Sequence, residues 1–155
     1  MSNQTFIRFV SPLDMDALIQ LCAEHAAYEK AEYDPYGKKE ALSMRLFSPP
    51  PPLYCLVVEQ QALPNPIIGY ATYMKQFSTW DARYYLYLDC LYLNEQSRGQ
   101  GLGERLMLRI KEEAQKLGLS EIQWQTPDFN EGAIRFYHRL GAKSKNKERF
   151  FWQVG

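Results

Sequence analysis

The sequence predicts an α/β protein of the α+β type, with one mixed, mostly antiparallel sheet of six to seven strands flanked by about four helices. Three observations predict it. Segments of alternating apolar and polar residues, rich in β-branched and aromatic side chains, follow one another without helices between residues 54 and 93. A glycine-rich turn, "RGQGLG" at residues 98–103, then leads into apolar residues at helical spacing. The chain has 155 residues, 46% of them apolar or aromatic, which is enough for one sizeable core and short for two. A single domain over residues 1–155 is therefore expected.

"TFIRFV", residues 5–10, alternates and reads as the first strand. Ser11 and Pro12, with Asp14 and Asp16 close behind, form an N-terminal signal for a helix running to about Ala27. The polar stretch "YEKAEYDPYGKKE" contains Pro35 and Gly37 and reads as a loop, and a shorter helix is expected from Glu40 to Phe47. "SPPPPL" suits neither a helix nor a central strand and is taken as a stiff surface spacer. "YCLVVE", "IIGYATYMKQF" and "RYYLYLDCLYL" follow as three strands of an antiparallel meander. Leu102, Leu106, Ile110, Ala114 and Leu117 then mark a helix that stops at Gly118. "LSEIQWQT" reads as a strand, "NEGAIRFYHRLGA" as a helix ending at Gly141, and "RFFWQV" as a last strand. The sequence holds no internal repeat.

Eighteen basic residues balance eighteen acidic ones, so overall charge does not draw the protein to nucleic acid or to an anionic membrane. Cys22, Cys55 and Cys90 form no C-x-x-C pair and leave one odd, which suits reduced thiols in the cytoplasm. The start, "MSNQTFIRFV", does not read as a signal peptide, and no apolar run approaches the ~20 residues of a spanning helix. A cytoplasmic protein with neither a nucleic-acid nor a membrane partner is expected. His25 and His138 are isolated, without metal-ligand spacing, and read as helix-surface or packing residues, so no metal is expected.

The glycine turn is the first candidate site. A helix start carries unpaired N–H groups and partial positive charge, which together attract an anion, and glycines before it remove side chains that would block the approach. Arg98 adds a planar guanidinium able to hold two phosphate oxygens. A P-loop would need lysine after Gly103, where Glu104 stands, and the dinucleotide pattern would need glycine at Glu104 itself. The antiparallel strands before the turn also differ from both of those folds.

Arg98-Gly99-Gln100-Gly101-Leu102-Gly103 resembles the [QR]-x-x-G-x-[GA] segment of the GNAT superfamily of acetyl-coenzyme A dependent N-acetyltransferases. The order of elements is similar to that fold over nearly the whole chain. Within the superfamily, "YLYLDCLYL", "NEGAIRFYHRLGA" and the "YE" of "AAYEK" resemble segments of the spermidine/spermine and thialysine N-acetyltransferases. The resemblance implies acetyl-CoA as co-substrate, admitted between two parallel strands that splay apart. It implies that the backbone of Gln100, Gly101, Leu102 and Gly103 holds the pyrophosphate, with Arg98 and Gly99 beside it. The strand backbone at Leu91, Tyr92 and Leu93 would meet the pantetheine amides.

Asn130 and Tyr137 are seven residues apart, two helical turns or ~10 Å along one face, and can touch one extended ligand. The resemblance assigns Asn130 to the pantetheine and Tyr137 to the neighbourhood of the thioester sulfur. There Tyr137 would serve as general acid, a task for a phenol whose pKa of ~10 keeps it protonated. An acceptor ammonium must lose a proton before it attacks. Asp89 stands where the family usually has glutamate and would bind the amine and pass its proton to water. By strict alternation its row includes Tyr85, Tyr87, Leu91 and Leu93, with Cys90 on the opposite face. Tyr28 and Glu29 match the family's acceptor-side pair, Glu29 offering a second carboxylate to a diamine or polyamine.

These readings converge on direct transfer of an acetyl group from acetyl-CoA to a primary amine of a small molecule, a diamine, polyamine or lysine analogue, and the resemblance alone implies a homodimer. Two other readings stay open: a binding or sensing module without transfer, and an acceptor that is a protein N-terminus or lysine. The last-strand region "KSKNKER" has three lysines, one arginine and only Glu148 where the polyamine enzymes carry acidic residues, which speaks against polyamine specificity.

Overall fold

The computed structural model describes residues 4–97 and 99–155, in two compact units divided after Gln125. The first unit carries the sheet. Its strands β1 (Thr5–Phe9), β2 (Tyr54–Gln60), β3 (Ile67–Ser78), β4 (Arg83–Leu93) and β5 (Ile122–Trp124) lie side by side in chain order. The first three pairings are antiparallel, as expected of a meander, and β4 with β5 is parallel. A parallel neighbour needs a crossover, and the glycine turn with helix α3 (Leu102–Lys116) supplies it.

Helices α1 (Met15–Tyr28) and α2 (Lys38–Leu46) connect β1 to β2. Met15, Leu18 and Leu21 recur at helical spacing and are buried against Cys55, Val57 and Tyr70 on one sheet face. The other face receives α3. Leu102, Leu106 and Ile110 are at most 2% exposed, and the charges of Glu113 and Arg109 act on the phenol of Tyr73. Gly118, at φ +75°, ends α3 as its sequence position predicts, with Leu119 N donating to Ala114 O at 2.9 Å.

The start of α1 is pinned by charge. Pro12–Asp14 forms a single 3-10 turn, and the nearly buried Asp14 carboxylate accepts from Arg8 Nη1 and Nη2 at 2.7 and 3.0 Å. Ser11 N donates to the same carboxylate at 2.7 Å. Arg8 Nε also donates to Glu59 of β2 at 2.9 Å, so one guanidinium ties the first two strands to the helix that follows.

The second unit contains α4 (Glu131–Arg139). Asn130 caps it, its side-chain oxygen accepting from Ala133 N at 3.3 Å.

Two expectations need correction. The sheet has five strands among the described residues, not six to seven, because residues 149–154 adopt no strand. Phe150, Phe151, Trp152 and Val154 are each at least 77% exposed, so this stretch has no buried face of the kind that fixes strand register. The strand expected over residues 119–126 is also only three residues long.

Candidate active site

The glycine turn forms an open helix start. Gly99 and Gly101 take left-handed φ values of +76° and +67°, a conformation costing other residues roughly 1–2 kcal/mol. A Cβ at either would meet nothing within 4 Å, so the space beside the backbone is free. Gly101 occupies the N-cap of α3 and brings no capping side chain to the first-turn N–H groups. Arg105 N donates to Gly101 O at 3.2 Å, so the helix is closed one turn on. Gln100 is exposed and donates from Nε2 to Gln96 O at 2.9 Å, which ties the turn to the 3-10 segment Glu95–Ser97. Leu102, 2% exposed, anchors the turn in the core, and Gly103 follows within the first turn of α3. Free space beside a positively polarised helix start fits a phosphate group. Arg98 lies outside the described residues.

Asp89 sits at a β-bulge. Thr72 pairs with Cys90 and the next residue, Tyr73, pairs with Leu88, so Asp89 is the extra residue of β4. Leu86 and Leu88 therefore share the face of Tyr73, toward α3, whereas Cys90 and Tyr92 share the face of Thr72 and Tyr70, toward α1. This corrects the continuous row expected from strict alternation. Asp89 is exposed between two switched faces, and the Cys90 thiol reaches its Oδ2 at 3.8 Å. Burial first, and the Asp89 charge second, push the Cys90 thiol up to about 11, so it stays protonated at neutral pH and is a poor nucleophile.

The pairing of the two parallel strands stops before the bulge, where β5 ends. β5 pairs with β4 only over Leu86–Leu88, and no β5 residue pairs with Leu91, Tyr92 or Leu93. On the opposite side Gly69 of β3 lies close under this stretch. A Cβ there would clash with Leu93 Cδ2 and stand 2.9 Å from Tyr92 O, so only glycine lets β3 approach.

The end of α1 brings Tyr28 and Glu29 to the same strand. The half-exposed Tyr28 ring tilts against Tyr92, with centroids 6.2 Å apart. Glu29 is held by His25, whose Nε2 lies 2.8 Å from Glu29 Oε2 and whose Nδ1 lies 2.7 Å from Tyr70 Oη. The Tyr70 phenol is 2% exposed, and its burial raises its pKa far above the ordinary tyrosine value. Cys22, close to Tyr70 and Tyr33, is likewise raised, mainly by burial. His25 was expected to be a packing or surface residue. The signal that could have found it is the i, i+4 spacing to Glu29 at a helix end.

In the second unit, Asn130 and Tyr137 stand at the cap and in the last turns of α4. Both are partly buried, and the Tyr137 ring lies 5.3 Å from that of Phe136. His138, on the exposed side, pairs with Ser144 Oγ at 2.8 Å.

Residues 15–142, which run through both units, match the acetyltransferase (GNAT) family. This chain belongs to the GNAT family. As a GNAT enzyme it is an acetyl-CoA-dependent N-acetyltransferase, since acetyl-CoA is the donor that the family uses. It is 32% identical over 142 residues to the thialysine N-epsilon-acetyltransferase of Bos taurus, covering 88% of this chain and 83% of that protein. The D-amino-acid N-acetyltransferase HPA3 of Saccharomyces cerevisiae is 23% identical over 144 residues, 92% of this chain and 88% of that one. Among solved structures, an aminoglycoside acetyltransferase from an uncultured soil metagenomic sample, in complex with trehalose, superposes with a TM-score of 0.80 at 18% identity, covering 97% of each chain. At that identity the likeness shows the GNAT fold.

Proposed function

We propose that this GNAT enzyme acetylates a primary amine of a small molecule, a diamine, polyamine or lysine analogue, by direct attack of the amine on the thioester. The observation that carries the proposal is the exposed carboxylate of Asp89 at the bulge of β4, just after the strand loses its parallel neighbour. Asp89 accepts the proton that the acceptor ammonium must release, directly or through a water. Glu29, with Tyr28 beside it, holds a second cationic end of the acceptor. The relatives named for thialysine and D-amino acids support a small amine over a macromolecule.

Acetyl-CoA supplies an activated thioester. Gly99, Gln100, Gly101, Leu102 and Gly103 would hold its pyrophosphate on backbone N–H groups, with Arg98 adding a guanidinium. Leu91, Tyr92 and Leu93 would offer their backbone to the pantetheine amides, and Asn130 its side-chain amide. Tyr137 would deliver its phenolic proton from Oη to the departing sulfur. The high thiol pKa of Cys90 favours this route over a covalent enzyme intermediate.

We also read the chain as one domain, a homodimer and cytoplasmic, the first supported by a family match that runs across both units. The deciding experiment is a thiol-release assay with acetyl-CoA against diamines, polyamines, thialysine, D- and L-amino acids, aminoglycosides and lysine-containing peptides. Release with a small amine bears the proposal out. Release only with peptides would overturn it.

A further inference from the structure

His25 lies one helical turn before Glu29, the residue that caps α1, and both of its ring nitrogens are engaged. Nδ1 faces Tyr70 Oη at 2.7 Å and Nε2 faces Glu29 Oε2 at 2.8 Å. The ring stacks on Tyr92 with centroids 5.1 Å apart and planes 16° from parallel, and meets the Tyr70 ring edge-on at 5.8 Å. Its side chain is only 13% exposed, whereas that of Glu29 is 36% exposed.

The chemistry of the partners sets the direction of each bond. An ionised carboxylate only accepts, so Nε2 carries a proton and donates it to Glu29. In the neutral ring Nδ1 then has a lone pair, and Tyr70 donates its O–H into it. Tyr70 is a dependable donor, because burial keeps its phenol protonated. The buried hydroxyl thus fixes the tautomer, and the tautomer fixes the carboxylate. Glu29 is left with one oxygen engaged and the other, Oε1, without a protein partner among the described residues.

An exposed i, i+4 pair of long side chains contributes little because ordering them offsets the attraction. Here the ring is already immobilised by Tyr70 and Tyr92, so holding Glu29 in one orientation demands little further order.

We propose that His25 is a positioning residue for acceptor recognition, holding Glu29 so that its second carboxylate oxygen meets the cationic end of the amine. The proposal rests on reading Glu29 as an acceptor carboxylate, and the test separates the two. Steady-state kinetics are measured with acetyl-CoA and the most rapidly acetylated of thialysine, spermidine and putrescine, for the intact enzyme and its His25→Leu, His25→Gln and Glu29→Gln variants. Expected for His25→Leu is a rise of about fivefold or more in acceptor KM, with kcat and the KM for acetyl-CoA nearly unchanged, as for loss of uniform binding. His25→Gln should return acceptor KM to within about twofold, because a glutamine amide donates to Glu29 and accepts from Tyr70 just as the imidazole does. Combining His25→Leu with Glu29→Gln should add nothing beyond Glu29→Gln alone.

An unchanged acceptor KM in His25→Leu, with a raised one in Glu29→Gln, overturns the role of His25 and leaves that of Glu29. Unchanged KM in both, or turnover of none of the three amines, overturns the acceptor site and this proposal with it. If His25→Leu does not fold by circular dichroism, Tyr70→Phe decides. It removes only the hydroxyl and should raise acceptor KM about two- to threefold, as for one lost hydrogen bond, and an unchanged value overturns the proposal.

Discussion

The thiol of Cys90 reaches the carboxylate of Asp89 at 3.8 Å, although neighbours on a regular strand point to opposite faces. The bulge makes the contact, and the contact adds to burial in keeping the thiol protonated. A thiol pushed up to about 11 by burial and by that carboxylate stays protonated at neutral pH and is a poor nucleophile. Cys90→Ala should therefore keep kcat within about twofold of the parent, since covalent catalysis is not at stake. The measurement is thiol release at saturating substrates, on protein whose circular dichroism matches the parent.

Asp89→Asn keeps the size of the side chain and removes the proposed proton acceptor. A fall in kcat/KM for the amine of about 100-fold is expected, the low end of what general base catalysis contributes. A pH profile adds a second check. The variant should recover part of its rate at high pH, where more of the amine is already deprotonated.

Tyr137→Phe preserves the ring against Phe136 and deletes the hydroxyl. We expect kcat to drop by about tenfold or more at saturating acetyl-CoA and amine, with the KM for acetyl-CoA little changed. Unchanged turnover would exclude Tyr137 as the sole acid.

Gly101→Ala tests the helix start without filling it, because the added methyl meets nothing within 4 Å. Its cost comes from the left-handed backbone at φ +67°, roughly 1–2 kcal/mol. Relief of that strain would turn the first N–H groups of α3 away from an anion. The KM for acetyl-CoA should rise about tenfold with acceptor KM unaltered, in agreement with the anion role of a helix start.

Asp14 carries a prediction about stability. The hydrogen bond from Arg8 holds its carboxyl below the usual carboxylate range, in spite of partial burial. A folded-state pKa below the unfolded one means that the contribution is fully present above the unfolded value of ~4 and is lost as pH falls through the folded value. Asp14→Asn should cost about 2 kcal/mol at pH 7, in the range for hydrogen bonds to charged groups. Urea unfolding at pH 7 and again near pH 3 should show the gap between parent and variant closing in acid.

Much of this architecture was legible because period and punctuation agree. The strand β4 was found at its observed bounds, since "RYYLYLDCLYL" lies between a turn and the glycines. The end of α3 was found from Gly118. The bulge at Asp89 was not, because a single inserted residue leaves an apolar run looking continuous when both sheet faces are buried. The last strand failed for the opposite reason: Phe150, Phe151 and Trp152 are β-formers in sequence, but consecutive large side chains define no face. His25 is legible only in part, because its i, i+4 spacing to Glu29 can be read from the sequence whereas Tyr70 and Tyr92, which hold its ring, arrive from strands more than 40 residues away.

The one-residue insertion in β4 also separates reactivity from folding. Leu86 and Leu88 pack on one side of the sheet and Cys90 and Tyr92 on the other, and all four would keep their sides if residue 89 were replaced or even removed. The position that carries the proposed base is thus the one in the strand to which neither core makes a claim. A substitution at Asp89 is therefore expected to change turnover while the packing on both sides of the sheet stays as it is.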